Sequence, residues 1–210
     1  MIMKSTGSKH LDKYFNYGHY VHCIYGKSST GKTNLCLTAV AEHAKNKRII
    51  FIDTENSFCV ERMHQLANKE IFNNIIRFKV KSIFEQSRLI NKLEKIKQNI
   101  SLIVVDSITY FYRSHVKRDP KFSNLMLAKQ IKVLNSLAYK LKIPVLITSQ
   151  VYSDLKNNIY PIAKSIIDKH CKCIIKLEQE NKRKLIIEKH PEISLNPINF
   201  KINNNGIEES

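Results

Sequence analysis

The chain has 210 residues, of which 43% are apolar and 25% charged, and its formal net charge is +17. These proportions exclude a disordered chain and fit one globular domain with a packed core, and the lack of any apolar run near 18 residues excludes a helical membrane protein. The positive surplus suits a polyanion such as nucleic acid; lysines solvated over the surface, from a composition heavy in Lys, Ile and Asn, are the alternative source of part of it.

The amino terminus lacks the apolar stretch and cleavage site of a secretory signal. Cys23, Cys36, Cys59, Cys171 and Cys173 are odd in number and lack a framework spacing. A cytoplasmic protein with reduced thiols and no structural disulfide is expected.

Along the chain, short β-branched and aromatic runs alternate with stretches of helical period, the pattern of a mostly parallel sheet covered by helices, hence an α/β fold. Strands are predicted at Val21 to Tyr25, Ile49 to Asp53, Ile75 to Val80, Leu102 to Asp106 and Val145 to Thr148. Helices are predicted at Lys32 to Lys45, Val60 to Leu66, Ser82 to Lys97 and Ser123 to Leu141, where Leu127, Ile131, Leu134, Leu137 and Leu141 recur at spacings of three and four. Beyond Ile162 to Lys169 come short strands at Cys171 to Leu177, Lys184 to Glu188 and Ile198 to Ile202, with a hairpin signal at Glu180 to Arg183, so antiparallel strands should close the carboxyl-terminal end of the sheet. The alternation places Cys171 and Cys173 on one strand face as small core residues, and His170 to Cys173 lacks the spacing of a metal site.

The eight residues Gly26, Lys27, Ser28, Ser29, Thr30, Gly31, Lys32 and Thr33 match G-x-x-x-x-G-K-[ST], between a predicted strand and a predicted helix. Such a P-loop wraps backbone N–H groups around phosphate oxygens, and Gly31 stands where a Cβ would collide with the anion. Lys32 can reach the β and γ phosphates of ATP, the Thr33 hydroxyl can coordinate Mg²⁺, and the following helix adds its positive end. Asp106, at the end of the apolar run Leu102 to Val105, can hold a water of the Mg²⁺ shell. Glu55 follows the strand Phe51 to Asp53, where it can activate the attacking water or serve as a capping or surface acid among turn formers. Gln150 follows another strand and is either a γ-phosphate sensor or an ordinary loop glutamine.

For DNA, the best basic stretch is Arg113, Lys117, Arg118 and Lys121, beside Tyr110, Phe111 and Tyr112, with Lys164, Lys169 and Lys172 adding charge. The alternative puts the aromatics in the core or an interface and the cations in water.

Five segments, STGSKHLDKYF at Ser5 to Phe15, IYGKSSTGKTNL at Ile24 to Leu35, FIDTENSFCVERM at Phe51 to Met63, LIVVDSIT at Leu102 to Thr109 and IPVLITSQVYSD at Ile143 to Asp154, resemble the RecA/RadA recombinases in order and spacing. The resemblance extends to their short archaeal RadB branch, over essentially the whole chain. The resemblance implies a single RecA-type ATPase core over residues 1–210 without an amino-terminal helical domain, binding ATP and Mg²⁺. It makes Lys32 and Thr33 the nucleotide and Mg²⁺ residues, Asp106 the second metal residue, Glu55 the catalytic carboxylate and Gln150 the sensor, and it makes Arg62 an arginine that stacks on adenine. It also implies ATP held between subunits, with Lys189 reaching a neighbour's phosphates.

The sequence departs from the family in three places. Residues Val151 to Pro161 are shorter than the second DNA-binding loop of full recombinases, Ala163-Lys164 replaces paired glycines, and Asn16-Tyr17-Gly18 replaces a glycine-rich turn. The first two argue against strand exchange by this chain alone, and the third alters the entry into the first strand. The expected function is therefore weak ATP hydrolysis coupled to binding of single-stranded or branched DNA, in support of a RadA-type recombinase, in a nucleoid-associated cytoplasmic protein. The competing reading is a KaiC-like regulatory ATPase that acts on a protein partner without nucleic acid.

Overall fold

The computed structural model describes residues 4–96 and 99–210. Its centre is a nine-stranded sheet. In chain order the strands are β1 (Val21–Gly26), β2 (Arg48–Asp53), β3 (Ile75–Lys79), β4 (Ile100–Asp106), β5 (Val145–Ser149), β8 (Cys173–Gln179), β9 (Arg183–Lys189), β10 (Ile198–Asn203) and β11 (Gly206–Glu208). A separate two-stranded hairpin is made by β6 (Val151–Ser153) and β7 (Ile159–Pro161). The helices are α1 (Lys32–His43), α2 (Val60–Leu66), α3 (Ile83–Leu93), α4 (Tyr110–His115), α5 (Pro120–Leu141) and α6 (Lys164–His170).

The strand order is β11-β10-β9-β8-β1-β5-β4-β2-β3. Six strands from β8 to β3 run parallel, and β9, β10 and β11 continue the sheet antiparallel, as the carboxyl-terminal strand pattern predicts. Because side chains alternate across a strand, each central strand feeds two cores. In β4, Leu102 and Val104 enter the layer that contains α1, while Ile103 and Val105 enter the layer of α3 and α5; in β2, Ile49 and Phe51 separate from Ile50 and Ile52 in the same way. Apolar residues buried on both faces explain why these strands read as continuous hydrophobic runs rather than alternating ones.

The predicted elements are present, with ends shifted by a few residues. The helix predicted to Lys97 ends at Leu93, with Lys97 itself outside the described residues. Helix α5 starts three residues earlier than predicted, because the Asp119 carboxylate caps it by accepting from the Phe122 N–H (2.9 Å) and Pro120 suits the first turn. The sequence reading did not identify α4, the β6–β7 hairpin or β11, all six residues or shorter and too brief to show a period.

The cysteine pattern requires a correction. Strand β8 begins at Cys173, so Cys171 lies outside the pleat, at the end of α6; the two face different cores, Cys171 with Cys23 and Cys173 with Ile175 and Leu177. All five cysteines are thiols. At the position of the family's paired glycines, Ala163 adopts φ +60°, a left-handed conformation that a glycine takes without steric cost. Among the described residues, no helix is long and apolar enough to cross a membrane.

Candidate nucleotide site

Parallel strands whose carboxyl ends share one edge leave a crevice there, and that is where the motif residues gather. The chain leaves β1 at Gly26 and enters α1 at Lys32. Gly26 is required by close approach, since a Cβ there would stand 2.3 Å from the Leu177 carbonyl oxygen. Gly31 has φ +108° and Ser29 φ +65°. Turns of this kind gather backbone N–H groups into an anion-binding nest.

Thr30 is buried and ties the loop by donating to the Lys27 carbonyl (3.0 Å), while Lys27, Ser28 and Ser29 are exposed. The Lys32 ammonium folds over the loop and donates to the carbonyls of Gly26 (2.9 Å) and Lys27 (2.8 Å). Burial lowers its pKa, opposed by the negative fields of Asp106 and Glu55. A cation partly stripped of water and satisfied only by carbonyls is suited to a phosphate oxygen. The loop, Thr33, Asn34, Glu55, Ser57, Asp106, Arg113 and Gln150 together line a cavity of about 380 Å³.

Asp106 is the hub at the cavity floor. It is 3% exposed and accepts from the hydroxyls of Thr33 (2.8 Å), Ser57 (2.9 Å) and Thr148 (2.5 Å). The Thr33 hydroxyl beside a carboxylate oxygen is a hard-oxygen donor pair of the kind Mg²⁺ takes, directly from Thr33 and through water from Asp106. Ser57 and Thr148 carry no motif signal and were missed by the sequence reading; only their place one turn or one strand from the motif marks them.

Glu55 is exposed in the turn after β2, and a buried framework holds that turn. The Asp53 side chain accepts from the Ser57 and Phe58 N–H groups (2.9 and 3.3 Å) and from Arg77 through Nε (3.1 Å) and Nη2 (2.5 Å). Thr54 exchanges hydrogen bonds with Ser107, its hydroxyl donating to the carbonyl (2.9 Å) and accepting from the N–H (2.7 Å). Glu55 Oε1 in turn accepts from the Ser107 hydroxyl (2.6 Å) and from Gln150 Nε2 (3.2 Å). Gln150 Oε1 accepts from Arg113 Nη1 (3.4 Å), so a chain of side chains runs from Glu55 through Gln150 to α4. The Gln150 N–H is fixed by donating to the Thr109 hydroxyl (3.0 Å).

Arg62 projects from α2 to the start of α1. Its Nε donates to Asn34 Oδ1 (2.8 Å), and its Nη1 donates to Gln65 Oε1 (2.8 Å) and the Asn204 carbonyl (3.4 Å). It therefore stands beside the P-loop helix, on the side flanked by the β10–β11 turn. Lys189 lies at the opposite edge of the sheet, its register partner being Ile174 near the start of β8, and it donates to the Asp168 carbonyl (2.6 Å). It is far from this chain's own P-loop.

The basic stretch is only partly as expected. Arg113, Lys117, Arg118 and Lys121 are exposed and cluster around the α4–α5 junction, with Arg113 also lining the P-loop cavity. Of the three aromatics, Tyr110 is exposed at 42%, whereas Tyr112 is 6% exposed, with its hydroxyl donating to Asn124 (2.6 Å), and Phe111 packs on the core. Tyr112 is thus a core residue and cannot stack on a base. Lys164 sits beside the β6–β7 hairpin, over the Tyr160 ring and paired with Asp168. Lys172 lies at the other end of α6, away from this cluster.

The Rad51 family model matches residues 1–210. The chain is 37% identical over 195 residues to the "DNA repair and recombination protein RadB" of Methanococcus maripaludis, covering 88% of this chain and 89% of that protein. It is 35% identical to the protein of the same name from Thermococcus gammatolerans, covering 99% of each. A solved structure described as "Crystal structure of the RadB recombinase" superposes with a TM-score of 0.84 at 31% identity, over 99% of this chain and 100% of that one. With identity at this level across nearly the full length of both chains, and the same fold, this chain belongs to the Rad51 family, in its RadB branch.

Proposed function

We propose that this chain is an ATP-binding, DNA-binding member of its family that hydrolyses ATP slowly and assists a RadA-type recombinase in homologous recombination and repair, as one ATPase unit in the nucleoid-associated cytoplasm. The observation that carries this reading is the side-chain path from the P-loop cavity to the basic stretch: Glu55, Gln150 and Arg113 are hydrogen-bonded in series. The names of the RadB relatives supply the recombination context.

In this reading the P-loop N–H groups and Lys32 bind the phosphates, Arg62 flanks the adenine, and Thr33 with Asp106 holds Mg²⁺. The cation neutralises phosphate charge when bound. Glu55 orients and deprotonates the attacking water. Its exposure, with one oxygen already engaged by Ser107 and Gln150, supports slow rather than efficient turnover, because the water is not sequestered. Gln150 reports the γ-phosphate: when its amide turns toward that phosphate it releases Arg113, and the α4–α5 cations, Arg113, Lys117, Arg118 and Lys121, change their affinity for single-stranded or branched DNA. Lys164 adds charge from the hairpin side. Assembly through the ATP site would bring Lys189 to a neighbour's phosphates, consistent with its place at the far edge of its own sheet.

Glu55→Gln keeps the hydrogen bonds to Ser107 and Gln150 but cannot accept a proton. Phosphate release should fall about 100-fold, while Mg-ATP binding by calorimetry stays within about threefold. Equal release by variant and wild type would remove Glu55 from this role.

A further inference from the structure

The sheet edge opposite the nucleotide site carries a second basic groove, of about 790 Å³, formed where β1, β2, β5 and β8 begin and α5 ends. Lys4, Lys47, Lys140, Lys142 and Lys172 line it, against a single acid, Glu192. None of these five ammonium groups has an ion pair or side-chain hydrogen bond among the described residues. Cations held close together without counter-charges raise the local positive potential.

Tyr139, in the same groove, is 83% exposed on a helix whose neighbouring Leu137 and Ala138 are buried. An exposed aromatic ring among unpaired lysines matches the platform on which unpaired bases stack while cations track the backbone. The lysines come from four separate segments, which suits an extended polyanion better than one small phosphate. Strand β1 separates this groove from the P-loop by six residues, roughly 20 Å at the usual rise.

We infer that the Lys140–Lys142–Lys172 groove with Tyr139 is a second binding surface for single-stranded DNA, separate from the α4–α5 cations. The inference rests on the DNA-binding part of the proposed function. Labelled oligothymidylate titrated by fluorescence anisotropy at several salt concentrations tests it, using the full chain, a Lys140→Gln/Lys142→Gln/Lys172→Gln variant and Tyr139→Ala. All four side chains are exposed, so the fold is not at risk. The slope of log affinity against log salt should fall by about 2 in the triple variant, at about 0.7 per lost phosphate contact. Tyr139→Ala should weaken binding about tenfold, with Mg-ATP binding unchanged in both. Wild-type binding with both variants unaltered overturns this inference alone and leaves the groove to an acidic protein partner; failure of the wild type to bind at low salt overturns it together with the reading on which it rests.

Discussion

Lys32→Ala is expected to weaken Mg-ATP binding by about 100-fold or more. Lys32 is the one ammonium folded over the P-loop, and its present partners are two backbone carbonyls that a phosphate would replace. A charge-assisted hydrogen bond contributes about 1.5–3 kcal/mol, and loss of contacts to two phosphates therefore reaches a factor of about 100. The side chain does not anchor the core, so thermal stability should change little. Calorimetric titration of wild type and variant checks this, and affinities within a few-fold of each other would contradict the site assignment.

Asp53→Ala is expected to produce the largest loss of stability, about 3 kcal/mol, the lower end of the cost of breaking a buried ion pair because Arg77 remains a quarter exposed. The Asp53 side chain is fully buried, and its loss takes away the ion-pair partner of Arg77, leaving its guanidinium the Asn56 side chain (3.1 Å) and the Phe58 ring, and removes the acceptor of the Ser57 and Phe58 N–H groups. The turn carrying Glu55 and Ser57 then loses its anchor, so phosphate release should fall as well. Urea unfolding measures the first effect. A change below about 1 kcal/mol, the level of a surface pair, would show that the turn is held by Thr54 and Ser107 instead.

Much of the fold was legible because its signals are local. The P-loop, the strands β1 to β5 and α5 each carry a spacing or an apolar run that specifies them without reference to distant residues. What was not legible depends on partners far apart in the chain. Asp53 reads as a turn former, and only its pairing with Arg77, across the β2–β3 strand pair, reveals it as the anchor of the Glu55 turn. Ser57 and Thr148 become partners of Asp106 only when β2, β4 and β5 align. Tyr112 looked identical to Tyr110 in a basic stretch, and the helical turn of α4 decided which of them faces the core. The cysteine pair was misread because the strand starts two residues later than its alternation suggests.

The claim that ATP gates DNA affinity through Gln150 and Arg113 is tested most directly by anisotropy of labelled single-stranded DNA with and without Mg-ATP across several salt concentrations. Binding with a clear salt slope, shifted by Mg-ATP in the wild type and insensitive to it in Gln150→Ala, is the predicted result. No DNA binding near physiological salt by a protein that still binds ATP would contradict it, and would point to a regulatory ATPase acting on a protein partner.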